Sequence, residues 1–129
     1  MKTLLTTLLL LMTSTLFAQN LIDFDRIVEK DKSIIMKGSF SIKHLKEANY
    51  AWFKKNYDAT KFSNEQIDEL RGRFNDFQIV VFLGTWCSDS HKLIPSFIKL
   101  IENIEYPIEK LQIYGVDRNK EKKGIEHRR

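Results

Sequence analysis

The 129-residue chain is poor in the residues that cross-link or interrupt a fold: it has one cysteine, two prolines and five glycines. A single thiol cannot close an internal disulfide, so no covalent bridge within the chain stabilises this protein. Internal repeats and low-complexity tracts are also lacking, which argues against a repeat array. The length is that of one ordinary globular domain.

Metal-ligand spacing is lacking too. His44, His91 and His127 form no ligand pattern with Cys87. Cys87 and His91 lie four residues apart, but two ligands are too few for a zinc site. We therefore expect no metal and no cofactor.

Basic residues exceed acidic ones only slightly, giving a formal charge of +4, and they are scattered along the chain. The densest basic region, residues 120–129, also carries Glu121 and Glu126 and has no interleaved aromatic residues. A nucleic-acid-binding surface would need a basic patch on a recognisable fold signature. We expect no nucleic-acid partner.

Long apolar runs are limited to the N-terminus, where Leu4 to Phe17 is broken only by threonine and serine. This stretch is shorter than the ~20 residues of a membrane-spanning helix. With Lys2 before it and Ala18 after it, it is typical of a secretory signal peptide, residues 1–18. We expect a periplasmic or secreted protein that starts at Gln19 and is not inserted in the membrane after signal removal. In an exported protein an odd thiol is either reactive or paired with another molecule.

Residues 19–75 are predicted to form a mainly helical N-terminal extension. Apolar residues recur at helical spacing over residues 41–57. A second helix is predicted to begin near Ser63, which forms a capping box with Gln66. Residues 33–36 indicate one short strand.

Residues 77–119 predict a strand, a helix and a second strand. Residues 77–83 are β-branched, aromatic and nearly all apolar, a pattern that favours a strand buried on both faces of a parallel sheet. A helix is predicted over residues 88–103 and a strand over residues 112–116, which together make a βαβ unit. The predicted buried face of that helix consists of Leu93, Phe97, Leu100, Ile101 and Ile104.

Cys87 stands where the first of these strands gives way to the helix. The first helical turn has free N–H groups and a partial positive charge, which favour thiolate over thiol. Thiolate is the form that attacks disulfides. Ser90, one turn further on, is placed to donate a hydrogen bond to the sulfur, whereas the carboxylate of Asp89 opposes a second negative charge.

The stretch from Val80 to Ser90, with Trp86 before the cysteine, resembles the active-site strand and loop of the thioredoxin superfamily. Pro95, eight residues after Cys87, matches the proline of the family's active-site helix. With the predicted signal peptide and extension, the chain is similar to exported thioredoxin-family proteins of the Bacteroidetes type. The resemblance is good over residues 77–119 and loose over residues 20–76.

This resemblance implies an α/β fold, with a partial thioredoxin-like domain in residues 76–129 after the helical extension. It implies thiol–disulfide oxidoreductase-like activity with Cys87 as the nucleophile and Ser90 beside it in a CxxS motif. Trp86 would contact the substrate and Pro95 would shape the helix. The expected partners are small thiols or proteins bearing thiols or disulfides.

Two departures from the family limit this interpretation. Ser90 stands where redox-cycling members have a second cysteine, which leaves one-thiol chemistry. The chain also lacks a proline for the loop that faces the family's active-site cysteine, and the C-terminal half of the fold is expected to be missing. Two alternatives stay open: a non-catalytic thioredoxin-like module that binds partner proteins through the same surface, and an inactive truncated fragment.

Overall fold

The computed structural model describes residues 22–120, so the predicted signal peptide, its cleavage site and the basic tail after Lys120 lie outside the described residues. The described strands are β1 (Asp23–Val28), β2 (Ile34–Phe40), β3 (Ile79–Leu83) and β4 (Leu111–Gly115). The described α-helices are α1 (Ile42–Leu45), α2 (Ala51–Ala59), α3 (Asn64–Leu70) and α4 (Ser88–Asn103). Short 3₁₀ helices cover Ala48–Tyr50 and Ile108–Lys110.

The four strands form one mixed sheet in the order β1-β2-β4-β3. The pairs β1/β2 and β2/β4 are antiparallel, whereas β3 and β4 are parallel, with Val81 opposite Ile113. Helix α2 packs against helix α4. The α/β class is therefore confirmed.

The strand–helix–strand prediction is confirmed in its elements, and the bounds of α4 agree with those predicted. Burial of β3 on both faces is wrong, because the side chains of Val80 and Phe82 are 45% and 57% exposed. Exposure alternates along β3, so Val80 and Phe82 lie on the face of the sheet turned toward solvent, and only the opposite face packs on the core. The predicted helix face is also partly wrong: Leu93 is 67% exposed, and Ile98 is buried in its place.

The predicted helical extension begins with a β-hairpin. Strand β1 has no apolar alternation that predicts a strand; it is held by pairing with β2, and Glu29 N–H donates to Ser33 O across the turn. The predicted helix over residues 41–57 is broken into α1, a 3₁₀ turn and α2. The hairpin belongs to the same sheet as the βαβ unit, so the extension is not a separate helical layer.

Helix α3 begins as predicted. Gln66 N–H donates to Ser63 Oγ at 3.2 Å, and Ser63 N–H donates to Gln66 Oε1 at 2.9 Å. One buried apolar cluster joins residues from both predicted segments of the chain. Its members include Met36, Phe40, Leu45, Phe53, Leu83, Ile98, Ile101 and Ile113.

Candidate functional site

Cys87 is the residue that caps the N-terminus of α4, as its place between strand and helix predicts. Its backbone is extended, with φ −91° and ψ 125°. Cys87 N–H donates to Gly84 O at 2.9 Å, and His91 N–H donates to Cys87 O at 3.0 Å. The chain therefore turns tightly after β3 and enters the helix with the cysteine sulfur beside its first amides.

Those amides lower the pKa of the Cys87 thiol below its ordinary value. The backbone N–H of Ser90 has the largest effect and that of Asp89 the next largest, although the sulfur makes no side-chain capping hydrogen bond of standard geometry. Partial burial raises the pKa, the Ser90 hydroxyl lowers it, and the Asp89 carboxylate raises it slightly. The net result favours the thiolate, the nucleophilic form.

Ser90 is brought next to Cys87, as one turn of helix predicts. Its Oγ accepts a hydrogen bond from Gly84 N–H at 3.3 Å. Because this contact uses a lone pair of the oxygen, the hydroxyl hydrogen can point at the Cys87 sulfur. Ser90 thus joins the end of β3 to the nucleophile.

The Trp86 indole N–H is used in a hydrogen bond within the protein, while part of the ring is exposed to solvent. Its Nε1–H donates to Val116 O at 3.0 Å, and the Arg118 guanidinium lies 5.3 Å from the ring centre. The indole therefore serves as a rigid wall rather than as a hydrogen-bond donor to a substrate.

An open pocket of about 340 Å³ adjoins the cysteine. Its walls are mostly apolar, with one cationic side chain, that of Lys120, among them. The lining residues are Phe82, Leu83, Gly84, Trp86, Cys87, Ser90, Val116 and Lys120. Three of the four residues predicted for the site thus meet at one cavity.

Pro95, the fourth predicted residue, is buried inside α4 and does not line the pocket. It has no N–H to offer to the carbonyl of His91, four residues before it. Asn56 on α2 fills this gap: its Nδ2 donates to His91 O at 2.8 Å. Pro95 thus contributes indirectly: it leaves the His91 carbonyl without a helix donor, and Asn56 of α2 bonds that carbonyl.

Two polar residues of the site were not predicted as such. Thr85 is only 5% exposed; its Oγ1 donates to Ile34 O at 3.1 Å and accepts from Met36 N–H at 3.1 Å. His91 Nε2 lies 2.7 Å from Thr85 O. No local pattern signals the role of Thr85, because Ile34 and Met36 belong to strand β2, far away in the chain.

Within residues 22–120 no three His, Cys, Asp or Glu side chains are grouped as metal ligands would be. In the same range no helix has the length and apolar character needed to cross a bilayer.

No protein family model, no curated protein and no solved structure matches this chain significantly.

Proposed function

We propose that this chain is a thioredoxin-like protein that performs thiol–disulfide exchange with Cys87 as its single nucleophile. The observation that carries the proposal is the Cys87 sulfur at the start of α4, with its pKa lowered by the amides of Ser90 and Asp89, beside an open pocket. The parallel β3–α4–β4 unit supports the thioredoxin-like assignment, since the cysteine follows its first strand.

The reaction has one step on this protein. The Cys87 thiolate attacks one sulfur of a disulfide, a new S–S bond forms, and the other sulfur leaves as a thiolate that takes a proton from water. The Ser90 hydroxyl and the helix amides stabilise the attacking thiolate. The chain holds no second thiol, so the mixed disulfide lasts until an external thiol attacks it and regenerates Cys87.

The pocket favours small or exposed substrates: disulfides of small thiols, or disulfides on the surface of a partner protein. No cofactor is required, because the electrons come from the external thiol. Together with the signal peptide predicted in residues 1–18, this points to work outside the cytoplasm, where disulfides persist.

A second candidate function is partner binding without chemistry. Exposed apolar side chains lie on both elements around the cysteine, Phe82 on β3 and Leu93 on α4. Apolar surface of this kind marks protein interaction sites. In this case a partner would bind the surface around Cys87, and the thiol itself would not react with disulfides.

Incubation with oxidised glutathione, followed by intact mass over time, separates the two functions. The wild type is expected to gain one glutathione and keep it until a reductant is added. Ser90→Cys is expected to lose the adduct quickly and form an internal disulfide, because the second thiol lies one turn away. The control Cys87→Ser is expected to gain nothing.

A folded wild type that forms no adduct would refute the exchange function and favour the binding module. An adduct on wild type with no internal disulfide in Ser90→Cys would show that residues 87 and 90 do not face each other as a thioredoxin-like site requires.

A further inference from the structure

We propose that His91 is a positioning residue for Cys87, whose ring holds the Thr85 carbonyl and thereby sets the course of the loop that presents the sulfur. This inference rests on the proposed function and adds the device by which helix α2 controls the nucleophile. The loop consists of residues 84–87, between β3 and α4.

One end of the loop is anchored to the sheet. The buried Thr85 hydroxyl donates to Ile34 O and accepts from Met36 N–H. It thus bonds the backbone of β2 where β4 no longer pairs with it, as a neighbouring strand would. These bonds hold the Thr85 side chain, and the bond from Cys87 N–H to Gly84 O closes the turn. Neither of them fixes which way the carbonyl of the central peptide, between Thr85 and Trp86, points.

His91 removes that freedom. Its Nε2 lies 2.7 Å from Thr85 O, and a carbonyl oxygen only accepts, so Nε2 carries the hydrogen. This bond orients the peptide that leads directly into Trp86 and Cys87. Since His91 N–H also donates to Cys87 O, the same residue holds the chain on both sides of Trp86.

The His91 ring is itself held from helix α2. It stacks on the Trp52 indole with ring centres 4.1 Å apart and planes 17° from parallel. Asn56, one turn after Trp52, donates to His91 O, the carbonyl left without a helix donor by Pro95. Two residues of α2 thus hold His91: Trp52 contacts its side chain, and Asn56 bonds its backbone carbonyl. His91 in turn holds the loop.

The consequence for chemistry follows from the amides at the sulfur. The N–H groups of Ser90 and Asp89 favour the thiolate only while the sulfur stays near them, because such interactions weaken steeply with distance and angle. A loop that loses the His91 bond can turn the Cys87 side chain away from the helix start. The thiolate would then be less populated at neutral pH.

The test compares His91→Phe with His91→Gln in the full chain. Phenylalanine keeps a flat ring for Trp52 but cannot donate to Thr85 O, whereas the glutamine amide keeps a donor without any charge. Lys92→Ala, an exposed neighbour on α4, is the control for a change of helix surface. The readout is the rate of reaction with a small aromatic disulfide from pH 5 to 10, with thermal unfolding measured alongside.

His91→Phe is expected to raise the apparent pKa of the thiol and to slow the reaction at pH 7 by about threefold or more, since the thiolate fraction sets the rate. His91→Gln and Lys92→Ala are expected to keep the wild-type pH profile. A purely structural role would lower the unfolding temperature of His91→Phe and leave its pH profile unchanged, which would overturn the proposal.

If His91→Gln shifts the profile as much as His91→Phe, a hydrogen-bond donor at residue 91 does not keep the thiol pKa low, and the positioning role through Thr85 O is refuted. If the wild type itself reacts no faster than an unfolded cysteine, the proposed exchange function fails instead. The two failures are thus read from different proteins in the same experiment.

Discussion

At the scale of single residues, opposing effects meet at the Cys87 sulfur. The amides of Ser90 and Asp89 lower the thiol pKa, while the Asp89 side chain raises it. An acidic side chain in the first turn suits the helix, because it complements the positive end of the helix dipole. Asp89 therefore supports α4 at the expense of the thiolate.

The lowered pKa of Cys87 also makes the stability of the fold depend on pH. Because the pKa is lower in the folded than in the unfolded protein, ionised Cys87 stabilises the fold above the unfolded pKa of ~8.5, and this contribution is lost as pH falls through the folded pKa.

Replacing Asp89 by asparagine should separate the two effects. The thiol pKa is expected to fall further, and the reaction with a small disulfide at pH 6 should become about twofold faster, because a nearby negative charge is removed. Stability should drop by about 0.5 kcal/mol through the helix dipole.

Glu65→Gln is the matched control, since Glu65 is the acidic residue in the first turn of α3. It should show a similar small loss of stability with no change at Cys87. An unchanged thiol profile in Asp89→Asn would contradict the electrostatic explanation.

At the scale of elements, the contact between α2 and α4 includes polar bonds near the C-terminal ends of both helices. The Tyr57 hydroxyl donates to one oxygen of the Glu102 carboxylate. Lys46 Nζ donates to the other oxygen of the same carboxylate at 2.9 Å. Lys99 Nζ donates to Tyr57 O at 2.9 Å. The Glu102 bond, with burial and the Glu102 charge, raises the pKa of Tyr57 to about 12.

Tyr57→Phe is expected to lower the free energy of unfolding by about 1 kcal/mol at pH 7, the usual contribution of such a hydrogen bond at a partly exposed site. Because the folded pKa of Tyr57 is raised, this contribution is complete below the unfolded value of ~10 and is lost as pH rises toward about 12. The difference between wild type and variant should therefore shrink in that window.

Urea unfolding at pH 7, 9 and 11 measures this. The control is Tyr114→Phe, whose hydroxyl donates to the neutral Gln112 side chain at 3.2 Å outside the α2–α4 contact. A Tyr57 effect that stays constant up to pH 11 would show that the bond to Glu102 does not raise the pKa of Tyr57.

At the scale of the whole molecule, the hairpin and the βαβ unit are joined where β2 pairs with β4 in the sheet. Gly38 lies opposite Gly115 in this pair. A Cβ atom on Gly115 would stand 2.0 Å from Met36 O, a backbone atom that cannot move aside without breaking the sheet. Gly38 has φ +124°, and its Cβ would stand 2.2 Å from Asp23 O. The close approach of β4 to β2 at Gly115, and of β1 to β2 at Gly38, is possible only because these positions lack a side chain.

Gly115→Ala is therefore expected to destabilise the protein by about 3 kcal/mol, in the range for forced overpacking. Gly72→Ala is the comparison: its φ is +76°, but an added Cβ meets nothing within 4 Å, so only the backbone cost of roughly 1 kcal/mol applies. Urea unfolding followed by circular dichroism gives both values. Equal losses would mean that β4 does not approach Met36 O closely at Gly115 in solution.

What the sequence determined by itself is local. The capping box of Ser63 and Gln66, the extent of α4 and the place of Cys87 at its start depend on residues a few positions apart, and each was predicted from spacing alone. The parallel β3–β4 pair follows from one connection of ordinary length. The physical reason is that helix starts and strand ends are governed by neighbouring backbone groups and their nearest side chains.

What only the tertiary structure decided involves partners far along the chain. Strand β1 is rich in charged residues and has no alternating apolar pattern. It forms a strand because β2 supplies hydrogen-bonding partners along its length. Thr85 is a site residue because its hydroxyl meets Met36, 49 positions away, and His91 because Trp52 and Asn56 come to it from α2. The exposed face of β3 depends on which side of the sheet the rest of the chain packs against. Such contacts depend on packing of whole elements, which no short window of sequence contains.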